Sequence, residues 1–110
     1  MHHEVGLAED ILRKVLRLAG SKGLKVVARA AISVGEFYLA RPEQIKHSFG
    51  MVSKGTPAEG AKLNITISPL RARCSSCKKE FDLSSQKCPS CGGVGIEIVS
   101  GKELLVESVE

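Results

Sequence analysis

Four cysteines constrain this chain more than any other feature. They form two Cys-x-x-Cys pairs, Cys74/Cys77 and Cys88/Cys91, with ten residues between the pairs. Each pair can present two sulfurs from one tight turn, and the spacer is long enough to bring the turns face to face. Four thiolates then complete the tetrahedral, closed coordination of a structural zinc site. Gly92 and Gly93 follow the second pair and let the backbone turn tightly there. Ser75, Ser76 and Ser90 leave nearby backbone N–H groups free to donate to sulfur. Phe81 and Leu83 alternate along the spacer and are placed to cover the two turns. Iron is the rival metal, because Cys-Pro-x-Cys-Gly also occurs in rubredoxin-like sites; the ten-residue spacer favours a compact zinc ribbon. A saturated zinc has no open position and activates no water.

The remainder reads as a small α+β body. Residues 4–20 predict an amphipathic helix, with Leu7, Ile11, Val15 and Leu18 at helical spacing and Ala8, Leu12 and Ala19 widening the stripe. Gly20 and Gly23 end it. Residues 24–34 alternate, placing Val26, Ala28, Ala30, Ile32 and Val34 on one strand face. Pro42 suits the first turn of a second helix over 42–54, with Ile45, Phe49 and Val52 buried. Leu63, Ile65 and Ile67 mark a second strand that runs through Pro69 towards Arg73, and Pro69 marks an edge, a bulge or the point where it leaves the main sheet. Two further strands are expected at 96–99 and 102–109. The expected architecture is two helices on a small β-sheet with an inserted four-cysteine zinc ribbon. The boundaries are 1–70 plus 100–110 for the α/β domain and 71–99 for the ribbon.

Composition excludes several classes. The formal charge of +4 falls to about +2 once four thiolates surround a divalent ion. The basic residues are spread along the chain, which disfavours a nucleic-acid stripe. Charged residues interrupt every apolar run before the ~20 residues that a membrane span needs. With no signal peptide legible, the chain reads as soluble and cytoplasmic, where paired cysteines point to metal before disulfide. No acid–base pair, nucleophile constellation or phosphate loop stands out, so the chain does not read as an enzyme.

The chain starts Met1-His2-His3-Glu4. An α-amine beside imidazoles suits Ni²⁺ or Cu²⁺, which accept nitrogen donors in tetragonal or square-planar geometry. The intervening amides can lose protons to the metal and close fused chelate rings. His3 completes such a chelate through the amides of His2 and His3. His2 completes a shorter one, leaving a position for His3 or Glu4. The third histidine, His47, falls on the polar side of the second helix and reads as a surface residue.

Taken together, these residues resemble the hydrogenase nickel-incorporation proteins, the HypA-type metallochaperones. The resemblance is carried by His3-Glu4, the helix with Leu7-Ala8, Val34-Gly35-Glu36 closing the first strand, Pro57-Ala58-Glu59-Gly60-Ala61, the Cys-x-x-Cys pairs and the closing strand. It implies Ni²⁺ bound by Met1, His2, His3 and Glu4, and a structural zinc on Cys74, Cys77, Cys88 and Cys91. It also implies a nucleotide-hydrolysing (GTPase or ATPase) nickel-handling partner and delivery to the large subunit of a [NiFe]-hydrogenase, with urease a second client in some relatives. The family start is Met-His-Glu, so the extra histidine leaves two registers; proximity to the amine favours His2 as the principal ligand, with His3 second and both able to bind. The zinc spacer is shorter than the family's. The oligomeric state stays open, a homo-oligomer included. The alternative function is a zinc-ribbon nucleic-acid-binding or transcription-associated protein, using Arg71, Arg73, Lys78 and Lys79 as a phosphate-facing patch.

Overall fold

A computed structural model describes residues 2–82, 88–93 and 95–110, with side chains from Val5 onward. Met1, Leu83 and the side chains of His2, His3 and Glu4 lie outside the described residues. Among the described residues, two α-helices, a short 3-10 helix (Glu36–Tyr38) and six strands, β1 (Arg29–Gly35), β2 (Lys62–Ser68), β3 (Arg71–Cys74), β4 (Glu80–Asp82), β5 (Ile96–Ser100) and β6 (Leu104–Val109), form an α+β fold with two three-stranded sheets, ordered β2-β1-β6 and β4-β3-β5. The chain divides into two compact units. One comprises Met1–Ser33, Ala40–Thr66 and Leu104–Glu110; the other comprises Val34–Leu39 and Ile67–Glu103.

In the first unit, α1 spans His2–Ser21. It buries Leu7, Ala8, Ile11, Val15 and Ala19, the apolar stripe that the spacing predicts. Each large aliphatic side chain buried this way contributes roughly 1.5–3 kcal/mol. The helix ends in a Schellman motif. Leu24 N–H reaches Ala19 O at 2.9 Å, and Gly23 N–H reaches Gly20 O at 3.1 Å. Gly23 therefore holds the left-handed position, at φ +71, and Gly20 stays helical. Pro42 opens α2, Pro42–Val52, which packs against α1 through buried Ile45 and Phe49. Val52 is only half-buried, and His47 is exposed.

The first strand starts later than its alternation predicts. β1 is Arg29–Gly35, with Ala30, Ile32 and Val34 buried. Upstream, Val26 is 69% exposed while Val27 is buried, so the alternation slips before the strand begins. Val27 N–H bonds Pro57 O at 2.9 Å, an irregular contact that regular pairing would not allow. β6, Leu104–Val109, runs antiparallel to β1, since Arg29 and Glu110 exchange backbone hydrogen bonds at 2.9 and 3.0 Å.

The second unit holds the three-stranded ribbon sheet. The run read as one strand from Leu63 to Arg73 is two, β2 at Lys62–Ser68 and β3 at Arg71–Cys74, broken at Pro69. Ala72 of β3 faces Phe81 of β4 (Glu80–Asp82) and Ile98 of β5 (Ile96–Ser100), with Val99 bulged out of the ladder. The base of this unit is a set of polar ties. Glu36 accepts from Leu70 N–H at 2.8 Å, Glu103 Oε1 accepts from Ser68 Oγ at 2.5 Å, and Glu103 also accepts from Gly101 N–H. Gly35 N–H reaches Glu103 O and Phe37 N–H reaches Gly101 O. A Cβ on Gly35 would lie 2.1 Å from Gly101 O, so only glycine permits this approach.

The Ser68 hydroxyl, with the backbone N–H groups of Glu103 itself and of Gly101, holds the Glu103 carboxyl below its ordinary range. Its contribution to stability is therefore present above that ordinary range and is lost as pH falls through the depressed value. Glu103→Gln should remove this part of the acid limb. Denaturant midpoints measured between pH 6 and 3 should fall less steeply in the variant, and parallel curves would refute the tie.

Candidate metal centre

Cys74, Cys77, Cys88 and Cys91 present sulfurs that all lie within 4.8 Å of one another. The Cys74–Cys91 and Cys77–Cys88 sulfur pairs are each 3.5 Å apart. A disulfide is near 2.05 Å, so these are not bonded. A tetrahedron with ~2.3 Å metal–sulfur bonds has edges of about 3.8 Å. Separations from 3.5 Å to within 4.8 Å bracket that edge length, and the four sulfurs are the atoms that could hold a metal ion.

The two turns repeat one another. Lys78 N–H reaches Cys74 O at 2.8 Å, and Gly92 N–H reaches Cys88 O at 2.9 Å. Cys74 N–H reaches Lys79 O, and Cys88 N–H reaches Gly93 O, each at 2.9 Å. The fifth residue of each turn is left-handed, Lys78 at φ 66 and Gly92 at φ 73. Glycine advertises that conformation in the sequence; lysine at the equivalent place does not, and sequence reasoning missed it. Gly93 leaves room beside the sulfurs, because a Cβ there would lie 3.3 Å from Cys91 Sγ and 3.4 Å from Cys74 Sγ. Ser75 binds Gly95 O through both its N–H and its hydroxyl, at 2.9 and 2.7 Å, tying the first turn to the start of β5.

The electrostatics suit a cation. Backbone N–H groups of Cys77 and then Ser76 favour the Cys74 thiolate and lower its pKa to about 6. The N–H groups of Cys91 and Ser90 lower Cys88 in the same way. At Cys91 the Gly93 N–H also favours the thiolate, but hydrogen bonding with the Cys74 sulfur, burial and the other two sulfurs outweigh it and push the thiol up to about 11. Two sulfurs therefore shed protons readily while their crowding makes another hold one. A divalent ion at the centre resolves that crowding, since it neutralises the thiolates together. Cys74 and Cys88 are buried with Ala72 and Phe81, and Cys77 and Ile96 pack against that cluster. Phe81 takes the covering position that its place in the spacer predicts.

Arg71 and Arg73 do not form an open phosphate patch. Arg71 pairs with Asp82 at 2.6 Å, and Arg73 lies 3.6 Å from Glu80 and 3.8 Å from Glu97. These cross-strand acids supply the countercharge that a nucleic acid would have to displace. Among the described residues, no helix is long and apolar enough to cross a membrane. The ties made by Glu36 and Glu103 also escaped sequence reasoning, because their partners are 34 and 35 residues away.

Comparison with known proteins agrees with this architecture. The family model for hydrogenase/urease nickel incorporation, metallochaperone, hypA, matches residues 1–110. A hydrogenase maturation factor HypA from Archaeoglobus fulgidus is 42% identical over 107 residues, covering 97% of this chain and 96% of the relative. One from Moorella thermoacetica is 34% identical, covering 98% and 97%. The solution structure of the Ni metallochaperone HypA from Helicobacter pylori superposes with a TM-score of 0.73 at 18% identity, covering 97% of this chain and 95% of that one, a likeness of fold. On the family match across its whole length, the chain belongs to the HypA family of nickel metallochaperones for hydrogenase maturation.

Proposed function

We propose that this protein carries Ni²⁺ on its N-terminus and hands it over during assembly of a [NiFe]-hydrogenase, while a structural zinc holds its ribbon. It is a binding and transfer protein, not an enzyme, and it works in the cytoplasm. Urease is a second client of the same chemistry. The α-amine of Met1, the imidazoles of His2 and His3 and the nearby Glu4 carboxylate are the nickel donors. Residues 1–70 with 100–110 act as the nickel domain and residues 71–99 as the zinc domain. Cys74, Cys77, Cys88 and Cys91 are the zinc ligands, and a four-sulfur set leaves no position for water or cargo.

The observation that carries this reading is where α1 begins. The helix starts at His2, so the amides of His2 and His3 lie in its first turn. N–H groups of a first turn have no carbonyl partner within the helix. Nickel can therefore take those nitrogens without breaking a hydrogen bond further along α1. The positive end of the helix dipole opposes a bare divalent cation. Two amides that surrender protons neutralise the ion's charge, so the square-planar complex meets no such opposition. Release follows from the same chemistry, since protons returning to those amides dismantle the chelate. The transfer partner is a nucleotide-hydrolysing nickel-handling protein, and the final acceptor is the hydrogenase large subunit.

The test is a nickel titration of zinc-loaded protein with a free amine beside the same protein acetylated at Met1. A square-planar absorption band should develop only with the free amine. Equal nickel binding after acetylation would overturn the assignment.

A further inference from the structure

The sheet β2-β1-β6 has two edges, and they are not protected alike. β2 begins with Lys62 and runs into Pro69, both of which discourage another strand from pairing. β6 reads Leu-Leu-Val-Glu-Ser-Val, with no lysine and no proline, and Leu105 is 52% exposed. Beside this edge lies a groove of ≈ 380 Å³. Its apolar lining comes from Leu18 of α1 and from Leu104, Leu105 and Val106 of β6, and Lys14 and Arg17 of α1 stand on it. Both cations are exposed, and among the described residues neither is engaged in an ion pair. An unprotected strand edge, an apolar floor and two cations therefore meet within a single compact unit.

We infer that β6 and this groove form a docking site for an extended acidic segment of a protein partner, which adds to the sheet as a strand beside β6. Backbone hydrogen bonds along the free edge supply affinity without demanding a sequence. Side chains on alternate residues of the incoming strand project to one face, about 7 Å apart. The matching pattern is therefore acid-x-apolar-x-acid. The apolar side chain fills the floor between α1 and β6, and the flanking carboxylates meet Lys14 and Arg17. The two cations select against basic segments and speed encounter with acidic ones. The site is independent of the nickel donors, so it can hold a partner whether or not metal is loaded.

The probe is a labelled peptide, Thr-Glu-Thr-Leu-Thr-Glu-Thr, titrated by fluorescence anisotropy into the full zinc-loaded chain. Controls carry lysine in place of both glutamates, or proline in place of the central threonines. The acidic peptide should bind, binding should weaken as salt rises, and both controls should bind about tenfold or more weakly. Lys14→Glu combined with Arg17→Glu should reverse the charge preference, and Leu105→Asp should weaken binding to the acidic peptide. All three positions are exposed, so these variants should keep the fold. Amide resonances of β6 and of α1 near Lys14 should shift on binding. No binding, equal binding of the lysine peptide, or shifts confined to other elements would each sink the inference. A dimer in sedimentation that Leu105→Asp dissociates, with no peptide binding, would assign the edge to a second copy instead.

Discussion

Cys74→Ser should purify without stoichiometric zinc and with the sheet β4-β3-β5 unfolded. Cys74 is fully buried, ends β3, and accepts hydrogen bonds from the turn it opens. The unit it belongs to has a small apolar core of Ala72, Cys74, Phe81 and Cys88, and two of those four are sulfur donors. So little buried surface cannot offset the entropy of ordering three strands. A structural zinc contributes about 10–16 kcal/mol in small domains of this kind, and most of it depends on a complete ligand set. Metal analysis should report less than one zinc per several chains, and resonances of residues 71–74, 80–82 and 96–100 should collapse towards random-coil shifts. Far-ultraviolet circular dichroism from α1 and α2 should largely persist, since their core of Ile11, Val15, Ile45 and Phe49 contains no cysteine. A variant that kept both its zinc and its dispersed ribbon spectrum would show that three sulfurs suffice.

The second large effect concerns nickel. His2→Ala together with His3→Ala should weaken Ni²⁺ binding at least a hundredfold, on the order expected when imidazole donors are removed from a nitrogen chelate. Zinc content and helical signal should not change. In the unaltered protein, nickel affinity should fall as pH drops from roughly 8 to 6, because protons compete for the amine and the imidazoles. The double variant should lose the imidazole part of that dependence. Single variants separate the two registers that the Met1-His2-His3-Glu4 start leaves open. If His3 closes the chelate through two amides, His3→Ala alone should abolish the square-planar band and His2→Ala should spare it. Tight nickel in the double variant would remove the histidines from the site altogether.

Much of this fold was legible because its signals are local. The stripe Leu7–Ile11–Val15 specifies the buried face of α1, and Pro42 places the start of α2. Two Cys-x-x-Cys turns announce a four-sulfur cluster whatever surrounds them. Alternation misled at Val26, where a β-rich run precedes the strand without joining it, since pairing partners rather than propensity decide where a strand begins. Lys78 hid its left-handed turn because nothing in a lysine requires that conformation. Glu36 and Glu103 looked like ordinary surface acids; their roles depend on chain segments that only the folded molecule brings near. The Cys-x-x-Cys pairs specify sulfur donors, whereas their proton affinities depend on which N–H groups the folded turns aim at each atom.

The polar base of the ribbon unit has a consequence for recombination. Val34–Leu39 is far from the cysteines in sequence, yet it belongs to the same compact body and contributes Glu36 and the close approach of Gly35. A chimera that transplanted only the contiguous cysteine hairpin into another scaffold would leave that support behind. Exchange between homologues therefore has to move two separated stretches at once.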